Sequence, residues 1–446
     1  MDEHLVIIGN GITGTTVARN VRKENDMKIT VISNETEYFF SRTALMYIYM
    51  GHMEWKNIKP YEDWFWEKND ISLIFAEVTS IDTENKRITL DNDAKIDYNK
   101  LLIASGSKSN KFGWQGQDLP GVQGLYSKQD VNLLEENTKN VKEAVIVGGG
   151  LIGIELGEML HSRGIHVTFL VREKYYWNSI LPDEEAILVS RHILEMGLDI
   201  RLGTQMKEVL AGNDGRVRAV LTDQGEEIVC QFVGLTPGVH PNIDLLKNTK
   251  IETNRGVLVN EYLETNIPDI YSAGDCAEIR SSNPNEKNKI EQLWYTGKMQ
   301  ADAVSKTILG KRTAYDRGVN YNSAKFLDIE YQTYGSIFSK LREGESAFYW
   351  EHESHKKCIK IVYKSDNRTV IGINLFGIRM RHQVWDKWIK NKKTIEFVLE
   401  HLEEANFDPE FYKKHEKEII SKFNNENPGE NIKLNKRKTF YKMFVS

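Results

Sequence analysis

Two glycine-rich turns stand about 140 residues apart in one chain, and each follows a short apolar run and opens a helical stretch. The first, Gly9-Asn10-Gly11-Ile12-Thr13-Gly14, follows the run Leu5 to Ile8. A short apolar run bounded by glycine reads as a buried parallel strand. Thr13 to Lys23 then reads as a helix, and MKITVIS, ending near Ser33, as the next strand, giving a βαβ unit. The second turn, Gly148-Gly149-Gly150-Leu151-Ile152-Gly153, follows the strand EAVIV and precedes the helix LIGIELGEMLHSRG and the strand IHVTFLV. In such a turn the first glycine permits the tight bend, the second lets backbone approach a pyrophosphate, and the third lets helix pack on strand. The phosphates meet the free N–H groups and positive dipole end of the helix. The first unit also carries an acid for ribose hydroxyls at the expected distance: Glu35, 21 residues past Gly14, with Asn34 beside it.

Two such units imply two dinucleotides, and the economical pairing is a flavin with a nicotinamide, because hydride can pass between them. The choice between NADH and NADPH stays open. The end of the second strand of the second unit offers Val171 and then Arg172, and a cation there suits a 2′-phosphate. Glycine at 148, 150, 153 and 157 argues the other way.

At 446 residues the chain has room for about three domains. Lys+Arg number 59 against 64 Asp+Glu, a net charge of -5, so the totals carry no basic footprint for nucleic acid. The three cysteines, Cys230, Cys276 and Cys358, are far apart and form neither a disulfide framework nor a metal or redox pair. A reducing, cytoplasmic setting is expected. The start, MDEH, does not read as a signal peptide. The most apolar stretch, Ala144 to Leu160, is short for a membrane span and contains Glu155 and Glu158.

From Tyr315 the texture changes. AKFLDIEYQTYG, SAFYWEHE, KKCIKIVYK and TVIGINLFG read as antiparallel strands, followed by helices in HQVWDKWIK, TIEFVLEHLEEA and PEFYKKHEKEIISKF. The expected architecture is α/β, with two Rossmann-like dinucleotide-binding domains and a C-terminal α+β domain. The last stretch ends in a basic-aromatic tail: Lys433, Lys436, Arg437, Lys438 and Lys442 with Phe440, Tyr441 and Phe444. It suits contact with an anionic membrane surface or an acidic electron carrier, against the plainer reading of a docked or frayed terminus.

With these motifs in order, the chain resembles the two-dinucleotide-binding-domain flavoproteins, the pyridine nucleotide–disulfide oxidoreductases. Ala104-Ser105-Gly106 after DYNKLLI resembles the motif closing the FAD domain. IYSAGDCAE, with Gly274 and Asp275, resembles the second FAD motif, whose acid binds the ribityl chain. GLTPGVHPN from Gly234 resembles the segment returning from the NAD(P) domain. The resemblance implies an FAD domain of residues 1–110 and 246–317, an NAD(P)H domain of 111–245 and an interface domain of 318–446. ETEYFFSRTAL is similar to the rubredoxin reductase, ferredoxin reductase and nitrite reductase large-subunit branch, which implies Arg42 at the FAD pyrophosphate; a guanidinium fits paired phosphate oxygens. WYTGKMQADAVSKTILG resembles the helix that meets the flavin, placing Trp294 and Tyr295 near the ring. Val78 is placed among the FAD contacts, and Glu155 near the nicotinamide.

The departures narrow the chemistry. The CxxxxC of disulfide reductases is absent, no proline follows Arg42, and the helix offers Gly297 and Gln300 where membrane quinone reductases carry AQxAxQ. The resemblance therefore implies an FAD-dependent NAD(P)H oxidoreductase without a redox-active disulfide, passing electrons to a carrier protein or a small oxidant, as monomer or homodimer. The alternatives are an NADH-responsive sensor similar to apoptosis-inducing factor and a peripheral quinone reductase. His382 with Asp386 is read as interface or surface, and the aromatics Tyr47, Tyr49, Trp55, Tyr61, Trp64, Phe65 and Trp66 as packing before acceptor site. No metal-ligand spacing appears.

Overall fold

The structure, a computed structural model, describes residues 3–407 and 413–435. Of the tail, Lys433 is exposed; Lys436, Arg437, Lys438, Phe440, Tyr441, Lys442 and Phe444 lie outside the described residues. The chain divides into two compact units, Met1–Arg172 with Leu198–Arg317, and Glu173–Gly197 with Gly318–Ser446.

The first unit holds two five-stranded parallel sheets of the same plan. In one, the order is Ile270–Ser272, Lys100–Ile103, His4–Ile8, Lys28–Ser33, Ile71–Phe75. In the other it is Asp199–Leu202, His166–Val171, Glu143–Val147, Phe232–Leu235, Val122–Gln123. The strand preceding each glycine turn is the middle one, so the chain leaves it where the strand order reverses. Open parallel sheets bind ligands at that switch point, outside the carboxyl ends of the strands. The continuous apolar runs are explained by burial on both faces: Leu5, Val6 and Ile7 are fully covered, as is Ile146. Helices Ile12–Glu24 and Trp294–Ile308 pack on each other beside the first sheet, and Val17, Val21, Val304 and Ile308 are all inaccessible. A three-stranded antiparallel sheet, Val78–Asp82, Arg87–Leu90 and Lys95–Asp97, sits between the third and fourth strands in sequence.

The second unit is built on a five-stranded antiparallel sheet ordered Tyr321–Phe326, Ile329–Gly335, Val370–Phe376, Cys358–Lys364, Glu345–Glu351. The segment AKFLDIEYQTYG, expected as one strand, is a hairpin that turns at Leu327 (φ +56°) and Asp328. Helices His382–Lys390, Ile395–Glu400 and Glu416–Glu426 bring Trp385, Trp388, Val398, Leu399 and Phe423 onto this sheet's core.

Residues 173–197, expected within the 111–245 segment, pack in this second unit. The cause is the polar pairing of helix Asp183–Glu195. Glu184 accepts from Lys360 Nζ (2.8 Å), Glu185 from Asn374 Nδ2 (3.1 Å), and Arg191 Nη1 donates to Glu351 (3.0 Å). Glu184 and Arg191, seven residues apart, lie on one side of the helix, Glu185 is about 100° round from Glu184, and all three partners are on the antiparallel sheet.

Candidate functional site

The first glycine turn is fixed by close backbone approach. Gly9 has φ +107°, and a Cβ there would stand 2.1 Å from the Ala104 carbonyl oxygen. A Cβ on Gly14 would stand 2.0 Å from the Gly9 carbonyl oxygen. Gly11, by contrast, has an ordinary φ of -68°, and its Cβ would meet nothing within 4 Å. The second turn repeats this. Gly148 (φ +125°) lies against the Thr236 carbonyl, 2.4 Å from a Cβ, whereas at Gly150 a Cβ again meets nothing. Ala104 and Thr236 each follow the strand on the same side of the middle strand, so the two turns are equivalent by construction. The outer glycines thus have reasons inside the protein, and the middle ones leave clear space at a helix N-terminus.

No side chain caps either helix that follows, Ile12–Glu24 or Leu151–Ser162, and neither has an acid in its first turn. Helix Lys128–Asn137, by comparison, is capped by Ser127, and Asp183–Glu195 opens on three acids. An uncapped N-terminus above a cleared backbone is a ready anion site. Ile12, Thr13, Leu151 and Ile152 lie in these first turns, and Gly153 is buried in its helix. The residues present therefore fit a dinucleotide pyrophosphate at each turn.

Beyond the first turn a polar line runs along the sheet edge. Arg42 donates to both carboxylate oxygens of Glu35, at 2.9 Å and 2.5 Å, and to the Tyr126 carbonyl at 2.6 Å. Its guanidinium also lies over the Tyr126 ring, 4.4 Å from the centroid. Burial works against the charge on Arg42, and Glu35 outweighs it, so the guanidinium stays charged. Tyr126 Oη is within 3.4 Å of Asp275 Oδ2, to which Ser107 Oγ donates at 3.0 Å. Burial raises the Asp275 carboxyl above its usual range, opposed by Ser107, and pushes the Tyr126 phenol up to about 12. Glu35, Arg42 and Asp275 are joined in this line, as one extended ligand would require. Tyr126 and Ser107, which join them, carry no motif; only the capping box of Ser127 and Asp130 next to Tyr126 was readable.

The other expected residues fall around this line. Ala104 donates its N–H to the Ile8 carbonyl, Ser105 Oγ to Asn242, and Gly106 adopts φ +71°. Gly274 (φ +85°) abuts Thr13, whose hydroxyl donates to the Gly297 carbonyl, so the Asp275 turn and the Trp294 helix both meet the first glycine turn. Trp294 stacks on Phe39 with ring centroids 6.0 Å apart, and Tyr295 follows it in the first turn of that helix. Val78 is buried at the start of the small antiparallel sheet, and Asn34 is exposed. In the second nucleotide unit Glu155 is half-buried, with its carboxyl pushed up to about 7 by burial and by Glu158. Arg172 is exposed just past the His166–Val171 strand. Gly234 lies within a strand, where Leu156 sits 2.5 Å from its would-be Cβ, a packing reason for glycine.

All three cysteines are free and buried, and burial pushes the Cys230 thiol up to about 12. Tyr61, Phe65 and Trp66 pack with Phe39, and Tyr49 is fully buried, while Trp64 is 59% exposed. His382 packs its ring on Tyr321 and Tyr334. His352, His415 and Glu418, which no spacing links, come within 4.8 Å of one another through one ligand atom each. His415 is the N-cap residue of helix Glu416–Glu426, and Lys357 Nζ lies 3.1 Å from its Nε2, so a cation already faces this ring.

The geometry defines a protein with two dinucleotide sites on two Rossmann-like sheets. Residues 3–301 match the family model described as pyridine nucleotide-disulphide oxidoreductase, and the chain belongs to that family. It is an NAD(P)H oxidoreductase that uses FAD. It is 28% identical over 403 residues to the NADH-rubredoxin oxidoreductase of Clostridium acetobutylicum, covering 89% of this chain and 99% of that one. It is 30% identical over 282 residues to the nitrite reductase [NAD(P)H] of Bacillus subtilis, covering 62% of this chain and only 35% of the relative. The crystal structure of NADH:rubredoxin oxidoreductase from Clostridium acetobutylicum superposes with a TM-score of 0.68 at 26% identity, covering 88% of this chain and 96% of that one.

Proposed function

We propose that this protein takes electrons from a reduced nicotinamide dinucleotide at the second glycine turn and delivers them to a small electron-carrier protein of the rubredoxin or ferredoxin class. Bound FAD supplies the redox chemistry, accepting hydride and releasing electrons onward. The chain's own part is binding and electrostatics. The first turn, Gly9 to Gly14, holds the FAD pyrophosphate on the helix Ile12–Glu24. Glu35, with Asn34 beside it, takes the adenosine ribose, and Arg42 exchanges part of its pairing with Glu35 for phosphate oxygens. Val78, Ala104, Ser105, Gly106 and Gly274 line the remainder. Asp275 receives the ribityl hydroxyls, and Trp294 and Tyr295 flank the ring. Gly148, Gly150, Leu151, Ile152, Gly153, Glu155, Arg172 and Gly234 form the NAD(P)H side. On this reading residues 1–110 with 246–317 serve FAD and 111–245 serve NAD(P)H.

The observation that carries the reading is the matched pair of middle glycines: a Cβ at Gly11 or at Gly150 would meet nothing within 4 Å, at the start of a helix that no side chain caps. The carrier is supported by the full-length likeness to the clostridial oxidoreductase. A route without cysteine redox is supported by three buried thiols whose pKa values are all raised. Among the described residues no helix is long and apolar enough to cross a membrane.

The test is an anaerobic absorbance titration of the purified protein with NADH and with NADPH, followed by oxidised rubredoxin or ferredoxin. The flavin spectrum should bleach within seconds with one donor and recover on adding carrier. A protein that binds no flavin after reconstitution would sink the cofactor assignment. Rapid bleaching without recovery by either carrier would remove the carrier assignment alone.

A further inference from the structure

Gln300 is a fully buried polar side chain near the Asp275 turn, and a buried amide on a core helix needs hydrogen-bond partners. Its Oε1 accepts the backbone N–H of Gly274 at 2.7 Å. Its Nε2 reaches Glu291 Oε2 at 3.5 Å. Glu291 is itself buried, 6% exposed, and receives two further donors: Tyr315 Oη at 2.7 Å and Arg317 Nη1 at 3.1 Å. A buried carboxylate with this many donors is compensated for its burial.

The network holds both ends of the Asp275 environment. Gly274 sits at φ +85° immediately before Asp275, so a fixed Gly274 N–H fixes where the Asp275 side chain starts. From the other side, Gln292, next to Glu291, donates through Nε2 to Ser107 Oγ at 2.8 Å, and Ser107 donates to Asp275. Residues 291–293 also lead directly into helix Trp294–Ile308, and Thr296 Oγ1 donates to the Leu293 carbonyl at its start. One buried set of contacts therefore locates the Asp275 carboxylate and the entry of the Trp294 helix together.

We propose that Gln300 and Glu291 are positioning residues for the flavin site, holding the Gly274–Asp275 turn and the first turn of the Trp294 helix in register, with Tyr315 and Arg317 fixing Glu291 in turn. They touch no cofactor themselves and act through Asp275. The proposal rests on the reading of Asp275 as the ribityl contact, and the experiment separates the two.

FAD release from the holoenzyme is followed by the rise of free-flavin fluorescence on dilution, together with the visible circular dichroism of the bound flavin. Five proteins are compared: wild type, Asp275→Ala, Gln300→Met, Gln300→Glu and Tyr315→Phe. Asp275→Ala should release FAD at least tenfold faster. Gln300→Met, which keeps the volume and removes both hydrogen bonds, should release it three- to tenfold faster and alter the visible dichroism, which reports the ring's surroundings. Tyr315→Phe, a single hydroxyl on a half-buried side chain, guards against a folding failure of Gln300→Met and should shift the dichroism in the same sense by less. Gln300→Glu keeps the oxygen that accepts from Gly274. It should restore wild-type dichroism toward acidic pH, where its carboxyl is neutral beside Glu291. Wild-type release and dichroism in both Gln300→Met and Tyr315→Phe, with fast release from Asp275→Ala, would overturn the positioning role and leave the Asp275 reading standing. Unchanged release from Asp275→Ala would overturn that reading, and this proposal with it.

Discussion

Replacing Glu185 by glutamine should make the second unit more stable at alkaline pH and nearly neutral at acid pH. Glu185 is fully buried on helix Asp183–Glu195; Oε2 accepts one hydrogen bond from Asn374, and Oε1 is buried without one among the described residues. The nearest cation, Lys360, is taken up by Glu184 at 2.8 Å. Burial pushes the carboxyl up to about 8 from its ordinary value of 4.5. The sign follows from linkage: a folded pKa above the unfolded one means the fold binds the proton more tightly, so this stability is present below pH 4.5 and is lost as pH rises toward 8. The slope in that window is about 1.4 kcal/mol per pH unit. Integrated from pH 5 to pH 8 the loss is about 3.5 kcal/mol, and glutamine, which does not titrate, does not suffer it. At roughly 2–4 °C per kcal/mol for a unit of this size, the difference in Tm between Glu185→Gln and wild type should grow by about 7–14 °C over that range. Differential scanning fluorimetry of the holoenzyme across pH 5 to 8 measures it. A Tm difference independent of pH would refute the reasoning, since the carboxyl would then be solvated or already ionised in the fold.

The two kinds of glycine should respond oppositely. Gly9→Ala places a Cβ 2.1 Å from a carbonyl oxygen at φ +107°, so it should cost at least about 1–3 kcal/mol of stability, read by thermal unfolding. Gly11→Val should leave the fold's Tm within a few degrees and weaken FAD binding at least tenfold, read by flavin content after dialysis; full flavin retention would remove the pyrophosphate assignment. Glu155→Gln should abolish any inflection near pH 7 in the apparent affinity for the nicotinamide dinucleotide, because burial and Glu158 hold that carboxyl at about 7; an inflection that persists would belong to another group. Arg172→Glu should lower kcat/KM with NADPH by tenfold or more and leave NADH within about threefold if the cation reads a 2′-phosphate; equal effects on both would make it a plain surface charge.

Much of the nucleotide-binding architecture was legible because it depends on local patterns. Apolar runs ending in GxGxxG carry their own strand, turn and helix, and the reasons for Gly9 and Gly148 are steric contacts with the adjoining strand. Asp275 and Arg42 were named as candidates through the segments around them, and the structure joins them through Tyr126. Tyr126 was not, since its place is set by where strand Val122–Gln123 ends and by how the first sheet is closed by Ile270–Ser272, a pairing across some 170 residues. Glu291 and Gln300 were illegible for the same reason: a buried glutamate nine residues from a glutamine has no signature until a tyrosine and an arginine from further along the chain arrive beside it. The C-terminal strands were readable from alternation, and the only local sign of the turn at Leu327 was the break in that alternation at Phe326-Leu327, with no glycine or proline to mark it.

The sequence by itself determined two dinucleotide turns, because glycine's conformational freedom and a helix N-terminus act within a few residues. Only the tertiary structure decided that the middle glycines face open space where a Cβ would stand, which charges pair with one another, and that helix Asp183–Glu195 packs with the C-terminal sheet. Those are outcomes of burial and long-range pairing, and a buried carboxyl such as Glu185 or Glu291 acquires its character only from the groups folding brings to it.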